Sequence, residues 1–172
     1  MVRALFPGTF DPIHYGHMDI ANRASKLFDE VVMAVYDKPL KSLMFSPEQR
    51  ISLVQEAFKG NPKIKVRGYS GLTIQFAQEI DAQVIVRGLR VFSDFEFEFR
   101  MALANQRLAK DAVETIALIT AEQHTFLSSS TVREIATLEG DVSSMVPPFV
   151  EKALKGKVIN MGEQSPPNAL RD

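Results

Sequence analysis

Two histidines, His14 and His17, stand three residues apart in a segment rich in turn residues, Phe6-Pro7-Gly8-Thr9-Phe10-Asp11-Pro12-Ile13-His14-Tyr15-Gly16-His17. An apolar run from Ala4 to Phe6 stops at Pro7-Gly8, the chain turns again at Pro12, and an amphipathic stretch opens at Gly16. Glycines at these points let a backbone pass close to a ligand. A helix that follows such a loop turns its unpaired N–H groups and positive dipole end back toward it, which is the physics of a phosphate site. Imidazoles at that mouth can donate hydrogen bonds to phosphate oxygens. The chain contains neither GxGxxG nor GxxxxGK followed by Ser or Thr, so the glycine-loop solutions to phosphate binding are not in use. Zinc ligation by Asp11, His14 and His17 is the competing chemistry. It is disfavoured because the chain has no cysteine and its third histidine, His124, lies far along the sequence.

Three further groups of residues carry chemistry. Arg87-Gly88-Leu89-Arg90 sets two guanidinium groups either side of a glycine, and the arginine fork suits bidentate contact with phosphate oxygens. Two surface arginines in ion pairs would look the same in isolation, but a place at the carboxyl end of a strand favours ligand contact. Lys41 shares a loop with Lys38 and by itself reads as a solvated lysine. In Thr125-Phe126-Leu127-Ser128-Ser129-Ser130-Thr131-Val132-Arg133, four consecutive hydroxyls precede a helical pattern. One is needed as an N-cap; four exceed that need and can hold the outer phosphates of a nucleotide at a helix N-terminus.

Alternating short strands and helices must position these groups. Strands are predicted at Arg3–Phe6, Glu30–Val35, Ile64–Val66, Val84–Val86 and Thr115–Ile119. Helices are predicted at Gly16–Phe28, after Ser46-Pro47-Glu48-Gln49, at Leu72–Ile80 and at Ser130–Leu138. Ser46-Pro47-Glu48-Gln49 combines an N-cap serine, proline at the first helical position and glutamine three residues after the cap. The unbroken apolar run Val31–Val35 suits a parallel strand buried on both faces. The alternation predicts an α/β fold: a single-domain, open, parallel five-stranded sheet with helices on both faces, of the Rossmann-like dinucleotide-binding type, closed by C-terminal helices. Ligands bind such sheets beyond the carboxyl ends of the strands, where every group named above falls. Phe95, Phe97 and Phe99 alternate like a strand. They also fit a helix with two apolar faces, Phe92, Phe95, Phe99 and Ala102 on one and Phe97, Met101, Ala104 and Leu108 on the other, and such a helix belongs in a core or an interface. The domain is read as residues 1–159, and 160–172 as a flexible polar tail.

Composition narrows the class. The chain has 172 residues, 45% hydrophobic and 24% charged, with a net charge of −1. That is one soluble domain with no bulk attraction for nucleic acid or an anionic membrane, so any anionic ligand is held locally. The absence of cysteine removes thiol catalysis and disulfides and suits a reducing cytoplasm. No basic and then apolar leader opens the chain, and no apolar run approaches the roughly 20 residues of a membrane span. A cytoplasmic location is expected.

Pro7-Gly-Thr-Phe-Asp-Pro with Gly16-His17, Val86-Arg87-Gly-Leu-Arg90, Asp94-Phe-Glu-x-Glu98 and Phe126-Leu-Ser-Ser-Ser-Thr-Val-Arg133 together resemble the bacterial phosphopantetheine adenylyltransferases, of the nucleotidyltransferase superfamily that carries the HxGH motif. The match runs in order from residue 2 to residue 157. The first and last motifs occur across the superfamily; the arginine run with Asp94 to Glu98 points to this family. The first histidine position is often threonine there, which leaves the role of His14 open. The resemblance implies transfer of AMP from ATP to 4′-phosphopantetheine, giving dephospho-coenzyme A and pyrophosphate. It implies His17, Lys41 and Arg90 as catalytic groups, with Thr9, Lys41, Thr73 and Arg87 binding the acceptor. It implies ATP contacts from Thr9, Phe10, His17, Gly88, Leu89, Arg90 and Glu98, and from His124, Thr125, Phe126, Leu127, Ser128, Ser129 and Ser130. Mg²⁺ accompanying ATP, no dedicated metal site, and assembly into a homohexamer are implied as well. The alternatives are a nicotinamide-mononucleotide adenylyltransferase of the same superfamily, a non-catalytic nucleotide-binding regulator, and a metal-dependent hydrolase.

Overall fold

In a computed structural model, which describes residues 1–38, 42–110 and 112–163 with side chains to 159, five parallel strands alternate with helices. The strands are β1 (Arg3–Gly8), β2 (Glu30–Tyr36), β3 (Ile64–Tyr69), β4 (Val84–Leu89) and β5 (Glu114–Ile119). The helices are α1 (Tyr15–Leu27), α2 (Pro47–Phe58), α3 (Thr73–Glu79), α4 (Phe92–Ala109), α5 (Ser129–Thr137) and α6 (Pro148–Glu163). Lys41 and residues 164–172 lie outside the described residues. Helix α6 runs through Asn160 to Glu163, so its end extends into the segment expected as tail. Among the described residues no helix is long and apolar enough to cross a membrane.

The sheet order is β3-β2-β1-β4-β5, all parallel. Period-two alternation divides the strands between two cores. Ala4, Phe6, Val31, Met33 and Val35 pack under α1, α2, α5 and α6, while Leu5, Val32, Ala34 and Ile85 pack under α3 and the end of α4. Val31 to Val35 are all buried, as the apolar run predicted. The start of α2 is the capping box read from the sequence: Ser46 Oγ accepts from Gln49 N, and the Gln49 side chain accepts from Ser46 N.

The winding direction reverses between β1 and β4, and the sheet splits there. β1 and β4 pair only at Ala4–Val84 and Leu5–Ile85, whereas β1 stays in register with β2 as far as Gly8–Val35. Pro7 lacks an N–H for such a ladder. The Arg87 side chain instead reaches across, its Nη1 donating to Pro7 O at 3.0 Å. A crevice at this switch point is where an open α/β sheet binds its ligand.

Candidate active site

The crevice is a cleft of about 680 Å³ between the carboxyl ends of β1 and β4. Of the residues expected to touch a ligand, Thr9, Phe10, His17, Thr73, Arg87, Gly88, Arg90, Glu98, Leu127, Ser128, Ser129 and Ser130 line it. Leu89, His124, Thr125 and Phe126 do not. Leu89 spends its carbonyl on Thr120 N, Phe126 is exposed, and the His124 ring stacks on Tyr15 beside the mouth.

Its β1 wall is built around the two histidines. His14 is the N-cap of α1: its Nδ1 accepts from His17 N at 3.4 Å, and His17 Nδ1 accepts from His14 N at 3.3 Å. The two rings stack 3.7 Å apart, and Phe10 closes the other side of His17 edge-on at 5.0 Å. Glycine at position 16 gives the His14 ring room, because a Cβ there would lie 3.0 Å from it. With Nδ1 occupied as an acceptor, each neutral ring carries its proton on Nε2, so His17 offers the cleft a donor. Burial, the neighbouring His14, and then Arg90 and Arg87 hold the His17 pKa well below its ordinary 6.5. Burial, Arg90 and His124 lower that of His14 to about 3. Tyr15 N goes to Met145 O at 3.0 Å, which leaves Gly16 N as the first-turn amide of α1 with no partner among the described residues.

The β4 wall is built of paired charges. Arg87 meets Glu98 side-on, Nε to Oε2 at 2.7 Å and Nη2 to Oε1 at 2.6 Å. Arg90 holds Asp94 through Nε at 3.1 Å and Nη2 at 3.2 Å, and its Nη1 donates to Leu127 O at 2.8 Å, tying this wall to the serine loop. Burial alone would raise the Asp94 pKa, but hydrogen bonds from the Arg90 side chain and backbone bring it below the usual value. Each guanidinium has five N–H groups, so each keeps donors after these bonds. Glu98, which the resemblance places on ATP, lines the cleft with its carboxylate accepting from Arg87.

The hydroxyl run divides its labour. Ser128 Oγ caps α5 by accepting from Thr131 N at 3.0 Å and bonds Thr131 Oγ1 at 2.9 Å. Ser129 Oγ donates to Pro12 O at 2.9 Å, joining the serine loop to the histidine loop. Capping claims one hydroxyl, as expected, and contacts within the protein engage Ser129 and Thr131 as well. The N1 and N2 amides of α5, those of Ser129 and Ser130, have no intrahelical acceptor, and both residues line the cleft.

Several neighbours were not foreseen. Asp11 is buried and accepts from Met44 N and Phe45 N, each at 2.9 Å, so it anchors the approach to α2. Among the described residues no three His, Asp or Glu side chains form a cluster. Met101, Ala104, Asn105 and Leu108 of α4 line the far end of the cleft with Leu72. Met101, Ala104 and Leu108 of the second apolar face of α4 thus form a wall of the cleft, while Phe97 of that face is exposed. Its first face leaves Phe92, Phe95 and Phe99 at least half exposed in the single chain.

Residues 5–135 match the cytidylyltransferase-like family. The chain is 50% identical over 155 residues to a phosphopantetheine adenylyltransferase of Roseiflexus sp. (strain RS-1), covering 90% of this chain and 96% of that one. It is 47% identical over 154 residues to the enzyme of that name from Desulfitobacterium hafniense (strain DSM 10664 / DCB-2), covering 90% and 94%. Against that of Gloeobacter violaceus (strain ATCC 29082 / PCC 7421) it is 48% identical over 152 residues, covering 88% and 94%.

Proposed function

The chain belongs to the cytidylyltransferase-like family and, within it, to the phosphopantetheine adenylyltransferases, and on that premise we propose that it transfers AMP from ATP to 4′-phosphopantetheine, releasing pyrophosphate. The observation that carries the reading is the composition of one cleft: neutral donors on the β1 wall, arginine forks on the β4 wall, and an apolar extension along α4. Phosphates fit the first two parts, and an extended aliphatic arm fits the third. Nicotinamide mononucleotide has no such arm, which disfavours it as the acceptor.

The nucleophile is a phosphate oxygen already ionised at neutral pH, so no general base is required. Catalysis rests on alignment and on stabilising charge at the α-phosphate. His17, neutral and protonated on Nε2, donates to the α-phosphate oxygen as charge builds there. Thr9 and the Gly16 amide flank it. Arg87 holds the acceptor phosphate with the N–H groups that Glu98 leaves, and Lys41 is assigned to the same phosphate. Arg90, the Gly88 backbone and the serine loop take the triphosphate. The ATP enters as its Mg²⁺ complex. The cleft carboxylates Asp94 and Glu98 are paired with arginines, so the ion is carried by phosphates and water. The exposed Phe92, Phe95 and Phe99 face of α4 is assigned to contacts within a homohexamer, and the reaction to the cytoplasm.

Pyrophosphate release tests the reading, with ATP, Mg²⁺ and either 4′-phosphopantetheine or nicotinamide mononucleotide. Release is expected with the first and little with the second. The reverse preference contradicts it.

A further inference from the structure

Arg50 is fully buried in α2, yet it has no carboxylate within ion-pair distance among the described residues. Four backbone carbonyls surround it instead. Its Nη1 donates to Thr9 O at 2.8 Å and Tyr36 O at 2.7 Å, its Nη2 to Asp37 O at 3.3 Å, and its Nε to Phe45 O at 3.3 Å. Burial lowers its pKa, and the nearby charges of Asp11, Asp37 and Glu48 work against that. Taking a cation out of water costs free energy that its hydrogen bonds must offset. Arg50 shares the i, i+4, i+8 stripe of Val54 and Phe58, where an amphipathic helix ordinarily carries an apolar residue.

The location of the acceptors supplies the reason for an arginine. The β1–β2 ladder ends at Gly8–Val35. Thr9 O and Tyr36 O are the next carbonyls on each chain, and Nη1 bridges them as one further rung. Thr9 leads into Phe10, which adopts a left-handed φ of 49° although it is not glycine. Such a conformation persists only where surrounding contacts over-determine it. Phe10 in turn closes one side of the His17 ring, and Thr9 and Tyr36 both line the cleft. Arg3 at the opposite end of the sheet gives the contrast: it is part-exposed, paired with Glu30, and touches no cleft residue.

We propose that Arg50 is a positioning residue for the transfer, holding the Thr9–Phe10 loop and hence the His17 ring at the spacing the reaction requires. The proposal rests on the adenylyl-transfer reading for its kinetic consequence and on the geometry alone for its effect on the loop. Lysine at this position keeps the charge but cannot bridge four carbonyls with a planar fork. Misplacing reacting groups by about 1 Å costs up to about 10²-fold in rate.

The test compares the parent, Arg50→Lys and Arg50→Ala, all as full chains, by hydrogen exchange, steady-state kinetics with 4′-phosphopantetheine, and guanidinium rescue. In Arg50→Lys, exchange should quicken at the amides of residues 8–11 and 36–37 and stay unchanged in the central strands. Its kcat should fall about tenfold or more while KM for ATP moves little. Millimolar guanidinium should restore part of the lost turnover in Arg50→Ala, saturably, where sodium chloride at equal ionic strength does not. Parent-like exchange in the 8–11 loop of Arg50→Lys would overturn the proposal, as would turnover within about twofold of the parent. Should Arg50→Ala not fold, the lysine variant decides alone. A parent that releases no pyrophosphate would defeat the adenylyl-transfer reading, and exchange in Arg50→Lys would still decide the role of Arg50.

Discussion

The two walls of the cleft solve the same problem, anion recognition, with opposite electrostatics. On the β1 wall the groups are neutral: two imidazoles whose Nδ1 atoms are tied up in a reciprocal cap, a threonine and helix-start amides. On the β4 wall they are formal charges held in bidentate or near-bidentate ion pairs, Arg87 with Glu98 and Arg90 with Asp94. A fixed neutral donor interacts modestly with a ground-state phosphate and more strongly as charge accumulates, so it suits the α-phosphate in the transition state. A guanidinium grips a phosphate that is charged throughout, so it suits binding. The carboxylate on each arginine keeps its fork oriented before substrate arrives.

Removing a donor from the neutral wall gives the largest expected effect. His17→Ala should lower kcat by about 10²–10³-fold, equivalent to about 2.7–4 kcal/mol, with ATP affinity much less affected. Near-parent turnover at saturating substrates would take His17 out of the mechanism. On the charged wall, Arg87→Ala should lose mainly acceptor affinity, about 1.5–3 kcal/mol or roughly 10–10²-fold in KM, because the lost bonds are charge-assisted and present in both ground and transition states. A loss confined to kcat would erase the distinction between the walls.

Acid sharpens the same comparison through stability. Both imidazoles are neutral in the fold, His14 with a pKa of about 3 and His17 well below 6.5, while the unfolded chain takes up these protons near 6.5. Their contribution is therefore complete above that value and is lost as pH falls, by about 1.4 kcal/mol per pH unit for each imidazole. Denaturation midpoints between pH 7 and 5 should show this fall, and His14→Thr, which keeps a capping side chain, should remove about half of that slope. Neither imidazole should contribute an acid limb near 6.5 to the activity of the parent, because neither takes up a proton there in the fold. The smallest effect on chemistry belongs to the outer face of α4. If the proposed homohexamer forms through that face, Phe99→Glu should give smaller species in light scattering while leaving turnover per chain closest to the parent.

The local half of this architecture is legible in the sequence and the tertiary half is not. Ser46-Pro47-Glu48-Gln49 states its capping box outright, and the apolar run Val31–Val35 states a strand buried on both faces. The Arg87–Glu98 pair joins a strand to a helix eleven residues on, so it depends on how α4 packs back, which no periodicity encodes. The register at which β1 parts from β4, and so the existence of the cleft, is likewise a property of pairing. The two apolar faces of α4 were visible, but only packing tells that one lines the cleft and the other faces outward. Arg50 left a signal that went unused: a charged residue on the apolar stripe of its helix, in step with Val54 and Phe58. The four hydroxyls Ser128–Thr131 exceed what capping needs, and bonds to Pro12 O and between Ser128 and Thr131 absorb part of that surplus.

The central claim is that the bond broken lies between the α- and β-phosphates of ATP and that AMP is carried to an acceptor phosphate. ATP labelled at either the α- or the γ-phosphorus, incubated with Mg²⁺, 4′-phosphopantetheine and the parent chain, tests it directly. The α label should appear in a product with the mass of dephospho-coenzyme A and the γ label in pyrophosphate, in equal amounts. The γ label in the acceptor product or in inorganic phosphate, or the α label in free AMP without an acceptor adduct, would contradict the account.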